Sequence, residues 1–353
     1  MIKSELLIDE SHIFRMTDST GMLQHTRWST PDYAKGYTTD DNARALIMAV
    51  MLYEQQHQKK YLELVYRYLA FILHAQNETG RFRNFMTYER KFTEIEGSED
   101  CFGRCLWALG YTMASPAIPQ GIKDACLDVF RRALHNIQFH LHFVRGKAYS
   151  VIALEFLNSS EVRGIVSELA AQLADAFATC ATDTDWQWFE NKLTYDNAVL
   201  PWAMFIAYRV TNEEKFLKIA QDSLSFLDKT VFRSGFFWPV GCKGWWLRGK
   251  EPALYDQQPV EAAMSTLAHL AAFAITGERT MLELAQKSFA WYSGENSLRK
   301  SLIDPDTGGC FDGITPEGIN RNQGAESIVS YVMANLAVRN TERLTYGSME
   351  GRV

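Results

Sequence analysis

The sequence predicts an all-α fold, an (α/α)6 toroid with short β-hairpins in the loops at one end. Three observations carry that expectation. A segment design recurs six times, helices apolar all round alternate with helices apolar on one side, and the connections are long in one direction only. Residues 1–353 read as a single domain, with 1–36 a mostly irregular N-terminal segment.

The repeated design is a polar or acidic start followed by an Ala- and Leu-rich run. It begins near Thr38-Thr39-Asp40-Asp41, Ser98-Glu99-Asp100, Arg145-Gly146-Lys147, Thr194-Tyr195-Asp196-Asn197, Asp256-Gln257-Gln258-Pro259 and Asn322-Gln323-Gly324-Ala325-Glu326. These starts recur roughly every 50–70 residues, which suits a two-helix unit with a loop of variable length. The runs that follow, such as Ala262 to Phe273, are apolar nearly all round and belong inside. Between them lie Lys59 to Leu73, Gly121 to Ile137, Glu161 to Ala178, Glu213 to Leu227 and Glu278 to Phe289, each with one wet face. An inner ring wrapped by an outer ring follows. Either Met1 to Gln24 or the tail after Asn335 must supply the sixth outer element.

Inner-to-outer links are short, as at Thr211-Asn212 and Thr276-Gly277. Outer-to-inner links are long: Gln76 to Gly97, Thr182 to Thr194, Thr230 to Leu254 and Ser297 to Gln323. Long loops without helical pattern in a compact domain are usually functional. Hairpin signals fall at Gly80 to Thr87, Gly235 to Val240 and Gly309 to Ile314.

Composition narrows the function classes. With 353 residues, 47% hydrophobic and 22% charged, the chain is globular rather than disordered. Net charge is −6, with no Lys/Arg run to track a phosphate backbone, so nucleic acid is not an expected partner. No apolar stretch reaches the ~18 residues of a membrane span. Acids at Glu5, Asp9 and Glu10 interrupt the apolar core that an export signal needs, so a cytoplasmic location is expected. The six cysteines include no CxxC pair and read as reduced thiols. His140 and His142 flank Leu141 without a Cys at ligand spacing, so neither a metal nor another cofactor is expected.

The end that gathers the inner-helix starts also gathers carboxylates, amides and tryptophans. Flat rings beside such groups suit sugars, whose C–H faces stack and whose hydroxyls take paired hydrogen bonds. The expected substrate-binding residues are His25, Trp28, Asp40, Arg104, Trp188, Tyr195, Asp196, Trp238, Trp245, Trp246, Asp256, Gln257 and Asp312. Catalysis is assigned to Asp41 and Asp100, with Glu99 and Glu326 in reserve. Asp40-Asp41 and Glu99-Asp100 each follow a residue able to cap its helix, so these acids exceed what capping needs. Neighbouring carboxyls repel, which raises one pKa and leaves the other group ionised, the division that glycoside cleavage requires. Arg44 and Arg104, four or five residues further on, are placed to hold one carboxylate ionised.

The six-hairpin pattern resembles the (α/α)6 glycosidase-like superfamily, which includes unsaturated glucuronyl hydrolases and N-acylglucosamine 2-epimerases. Arg15 to His25 and Gly36 to Leu46 also resemble an all-helical region of bacterial proteins labelled glycosyltransferases, found near mannoside phosphorylase genes. These resemblances imply a carbohydrate substrate and a glycosyltransferase or phosphorylase as partner. The 2-epimerases use paired histidines within inner helices, and here only His269 is placed on one. The expectation is an inverting glycoside hydrolase acting on an oligosaccharide or small glycoside. The alternatives are a non-catalytic glycan-binding or scaffold domain partnering a transferase or phosphorylase, and a sugar epimerase or isomerase.

Overall fold

Apolar-all-round and one-sided helices can bury their surfaces together only in two layers, and the structure, a computed structural model, has that arrangement. It describes residues 8–139, 141–157 and 159–350, so Met1 to Leu7 and His140 of the histidine pair lie outside the described residues. Six inner helices, α2 (Thr39–Gln56), α4 (Glu99–Ala114), α6 (Val144–Leu154), α8 (Val199–Thr211), α10 (Pro259–Thr276) and α12 (Ala325–Glu350), form a closed ring in which α12 returns to α2. The outer layer is α1 (Ser11–Met16), α3 (Lys59–Ala75), α5 (Gln120–Phe139), α7 (Ser160–Cys180), α9 (Glu214–Val231) and α11 (Arg279–Ala290). Each inner helix packs on an outer one, and α1 takes that place against α12. The N-terminal segment therefore closes the outer ring, while the tail after Asn335 prolongs α12.

Local chemistry sets the helix limits. Thr38 and Ser98 cap α2 and α4 by accepting the N–H groups of Asp41 and Cys101. Pro259 opens α10, and Gly277 closes it with φ of 74°. Outer helices keep one buried stripe: on α9, Phe216, Ala220, Leu224 and Leu227 face inward, while Lys215 and Lys218 are exposed. Helices α4 and α6 approach closely because Gly103 faces Tyr149, where an added Cβ would lie 2.5 Å from the tyrosine Cβ.

Ten short strands lie in outer-to-inner links, among the described residues: β1 (Thr26–Arg27), β2 (Thr30–Pro31), β3 (Tyr37–Thr38), β4 (Phe85–Met86), β5 (Lys192–Leu193), β6 (Phe232–Arg233), β7 (Phe236–Phe237), β8 (Trp246–Leu247), β9 (Gly313–Thr315) and β10 (Gly318–Asn320). The hairpin signal at Gly235 is met by β6–β7. Antiparallel bridges Gln76–Phe82 and Met86–Phe92 mark the Gly80 to Thr87 segment, and Ile303–Cys310 marks the segment around Gly309. Phe85–Met86 also pairs with Tyr37–Thr38 of the preceding link, and a further hairpin, β9–β10, spans residues 313–320. β5 pairs with β8, so a second pair of loops is stitched together. One outer-to-inner link, between α5 and α6, is short. No described helix is long and apolar enough to cross a membrane.

Candidate functional site

The first turn of α2 carries Asp40 and Asp41, and Arg44 lies one turn below on the same face. Its Nη2 donates to Asp40 Oδ1 at 2.7 Å, to Asp41 Oδ1 at 2.9 Å and across the ring to Glu326 Oε2 on α12 at 3.1 Å. Arg104 on α4 donates to the other oxygen of Asp40 and to Asp196 Oδ2. Its guanidinium lies over the Tyr149 ring of α6, 5.2 Å from the centroid. The Tyr149 hydroxyl donates to Asp196 Oδ2 at 2.8 Å. Asp196 turns with φ of 47° just before α8, and its N–H donates to Glu261 of α10. Side chains from all six inner-helix starts or the loops entering them thus meet near the axis.

Carboxyls outnumber guanidiniums in this network, and their titration divides accordingly. Burial would raise Asp40, but Arg104 and Arg44 outweigh it and hold Asp40 below the ordinary carboxylate range. Burial raises Asp41 to about 7; Arg44 opposes this, while Asp40 and Glu326 add to it by repulsion. Burial, then Asp196, raises Glu261 to about 8. Asp100 is raised by burial against the pull of Arg104. Adjacent acids pushed in opposite directions are the arrangement that separates a proton donor from a permanent anion.

A cavity of about 370 Å³ opens between the starts of α2 and α12, within the usual size of small-molecule sites. Asp40, Asp41, Arg44 and Glu326 line one part of it, His25, Asp312 and Ser327 another, and Asn84, Phe85 and Gln258 the rest. The Glu326 side chain is 37% exposed, the most open of the carboxyls bound to Arg44. Asp312 lines the cavity but also caps α12, its Oδ1 accepting from Gly324 N–H at 2.6 Å and the Ser327 hydroxyl at 2.7 Å.

Asp100 is not among the cavity-lining residues. It accepts the Tyr195 hydroxyl at 2.6 Å, in a second cluster where Arg145 lies over the Tyr195 ring and Trp245 packs 6.2 Å from it. The cavity brings Asp41 together with Glu326 rather than with Asp100. Their nearest oxygens both lie against Arg44 Nη2, which brings them closer together than the ~6.5–9.5 Å of an inverting pair.

Several expected site residues do not line this cavity. Glu99 accepts the N–H groups of His142 at 2.9 Å and Phe143 at 2.8 Å, so it holds the link that enters the neighbouring α6. Gln257 is buried, donating to the Leu254 carbonyl and Ser297 and accepting from the Trp291 indole. Trp188 is fully buried against Phe189 and Phe226. Trp246 is wedged between Phe226 and Trp186, and its indole donates to the Lys250 carbonyl. Trp238 stacks on Phe236 and donates to the Leu254 carbonyl. The Asp256 carbonyl accepts from Cys242 N–H, and Asp256 does not line the cavity. Trp28 is 66% exposed beside a neighbouring cavity. His269 faces outward to Asp228 of α9, 3.0 Å away.

The reading of the sequence missed Asn84, Phe85 and Gln258. Asn84 Oδ1 accepts the Asp40 N–H at 3.1 Å, and Phe85 is fixed by β3–β4 pairing beside the start of α2. The aromatic at Phe85 was the available signal, but it sits in a loop whose partner strand is almost fifty residues earlier.

Similar solved structures share this architecture. A cellobiose 2-epimerase from Bacillus thermoamylovorans matches with a TM-score of 0.74 at 11% identity, covering 94% of this chain and 95% of that one. A sugar epimerase from a ruminal bacterium matches with a TM-score of 0.74 at 14% identity, covering 96% and 97%. A GH76 α-mannanase of Bacteroides thetaiotaomicron gives 0.67 at 10% identity, covering 96% and 94%. The chain has the six-hairpin (α/α)6 glycosidase-like fold. No family model matches it. No curated protein matches it either.

Proposed function

We propose that the chain is a sugar-processing enzyme that cleaves a glycosidic bond in the cavity between α2 and α12. The observation that carries this reading is the adjacent pair Asp40-Asp41. Two arginines hold the first carboxyl below the ordinary carboxylate range, and burial raises the second to about 7. Asp41 gives its proton to the leaving glycosidic oxygen. Glu326, across the cavity and held by Arg44, is the partner carboxylate at the anomeric carbon. The close spacing of this pair favours double displacement, with Glu326 as nucleophile and retention of configuration. Phe85, 49% exposed and lining the cavity, supplies a face for a sugar ring.

A second reading, epimerisation or isomerisation of a free sugar, is supported by the likeness to sugar epimerases over nearly the whole chain. That chemistry removes a proton next to a carbonyl and needs a base poised near neutrality. Among the described residues, His25 is the one histidine lining the cavity, and the inner-helix His269 faces away. Asp41, raised to about 7, meets that need as well, so it is the pairing of Asp41 with Glu326 across the cavity that favours bond cleavage. The test is to incubate the protein with cello- and manno-oligosaccharides and measure reducing ends. Release by the wild-type chain, reduced at least a hundredfold in Glu326→Gln, supports the reading; absence of release from every substrate overturns it.

A further inference from the structure

Trp28 sits where hairpin chemistry disfavours it. β1 and β2 pair Arg27 with Thr30, so Trp28 and Ser29 form a two-residue turn. Trp28 has φ of 59°, whereas Ser29 is not among the positive-φ residues. A two-residue turn with positive φ at its first central position favours glycine there, and a bulky side chain in that conformation is an outlier. The turn is nevertheless held: the Trp28 N–H donates to Asn322 Oδ1 at 2.9 Å, tying the hairpin to the β9–β10 link before α12. The indole is the most exposed tryptophan side chain among the described residues, so core packing does not account for its retention.

A second cavity, of about 450 Å³, lies against this ring and is lined by Trp28, Thr315, Ile319, Asn320, Arg321 and Asn322. Asn320 also lines the cavity that holds Asp41 and Glu326, so the two spaces adjoin. One therefore presents carboxyls and the Phe85 face, and the next presents an indole face beside two amides and a guanidinium. Such a pairing of flat apolar surface with donors and acceptors fits a pyranose: the ring stacks and the hydroxyls are hydrogen-bonded.

We propose that Trp28 and the β9–β10 hairpin form an additional sugar subsite, and that the substrate is an oligosaccharide extending from the catalytic cavity across the Trp28 indole. This rests on the reading of the α2–α12 cavity as the reacting site. It excludes a free monosaccharide as the preferred ligand. Arg321 and the Asn320 and Asn322 amides bind hydroxyls of the outlying ring, while Trp28 contributes the stacking face.

The test uses the full chain carrying Asp41→Asn, titrated calorimetrically with cello- and manno-oligosaccharides of two to four units. Affinity should rise with length in at least one series, and adding Trp28→Gly should remove that rise, a loss of about tenfold for the longest member. Glycine suits the positive φ, so this variant keeps the hairpin, and thermal unfolding should show no loss of stability. Trp28→Phe should restore part of the gain. Affinity independent of length, equal binding by the Trp28→Gly protein, or no binding in either series would overturn the subsite. Binding is read without turnover: length-dependent binding lost in Trp28→Gly, in a wild-type chain that cleaves nothing, refutes the hydrolytic reading and leaves the subsite standing.

Discussion

Replacing Arg104 by Met should destabilise the protein by about 3–5 kcal/mol at neutral pH, the cost of removing one partner from a buried ion pair. The structure shows where that cost falls. Arg104 is buried and binds two carboxylates, Asp40 and Asp196. Without it, Asp40 still has Arg44 Nη2 at 2.7 Å. Asp196 is fully buried, its Oδ1 has no protein partner, and its Oδ2 would retain the Tyr149 hydroxyl alone. The difference between the two proteins should depend on pH. Asp40 has its folded pKa depressed by Arg104 and Arg44 against burial, so it contributes stability above its unfolded value of about 3.9, and this is lost as pH falls through the folded value. The wild type loses that contribution on acidification, whereas the variant has lost Arg104's share at every pH. The gap should therefore be widest near pH 7 and narrow below about pH 4. Urea unfolding followed by circular dichroism at stepped pH measures it. A gap under about 1 kcal/mol at neutral pH, or one that stays constant on acidification, would refute the account of the axial network.

Asp41→Asn should lower turnover at least a hundredfold with the fold intact, and wild-type kcat/KM should decline as pH rises past about 7, because the donor must be protonated; steady-state kinetics across pH check both. Trp246→Ala should cost about 3–5 kcal/mol in chemical unfolding through lost packing on Phe226 and Trp186, and calorimetry should find sugar affinity unchanged. Glu99→Ala should cost about 1.5–3 kcal/mol by removing the charged acceptor of the link into α6, measured by thermal unfolding, while kcat stays near the wild-type value.

The toroid was legible because burial acts on each helix separately. An inner helix such as α10 is apolar on every side and an outer one such as α9 on one, and both patterns are local. The cluster at Thr38 to Arg44 was legible for the same reason, since cap, acids and arginine fall within two turns of one helix. What escaped depended on contacts between segments. Glu99 looked surplus to its own helix, yet it holds the entry to another more than forty residues later. Trp188 and Trp246 looked unneeded in their loops because Phe226, which both pack against, belongs to an outer helix. Phe85 is set beside the start of α2 by pairing with Tyr37–Thr38, a register that nothing in either segment alone specifies.

In the proposed reaction, carboxyl groups between α2 and α12 break a glycosidic bond. Proton NMR of the wild-type protein with cello- and manno-oligosaccharides in D2O tests it most directly. The account predicts loss of internal anomeric signals, growth of new reducing-end signals that first appear with the anomeric configuration of the bond cleaved, and no deuterium at C2. Deuterium entering C2 of a sugar whose glycosidic bonds stay intact would contradict it and establish proton abstraction as the chemistry of the site.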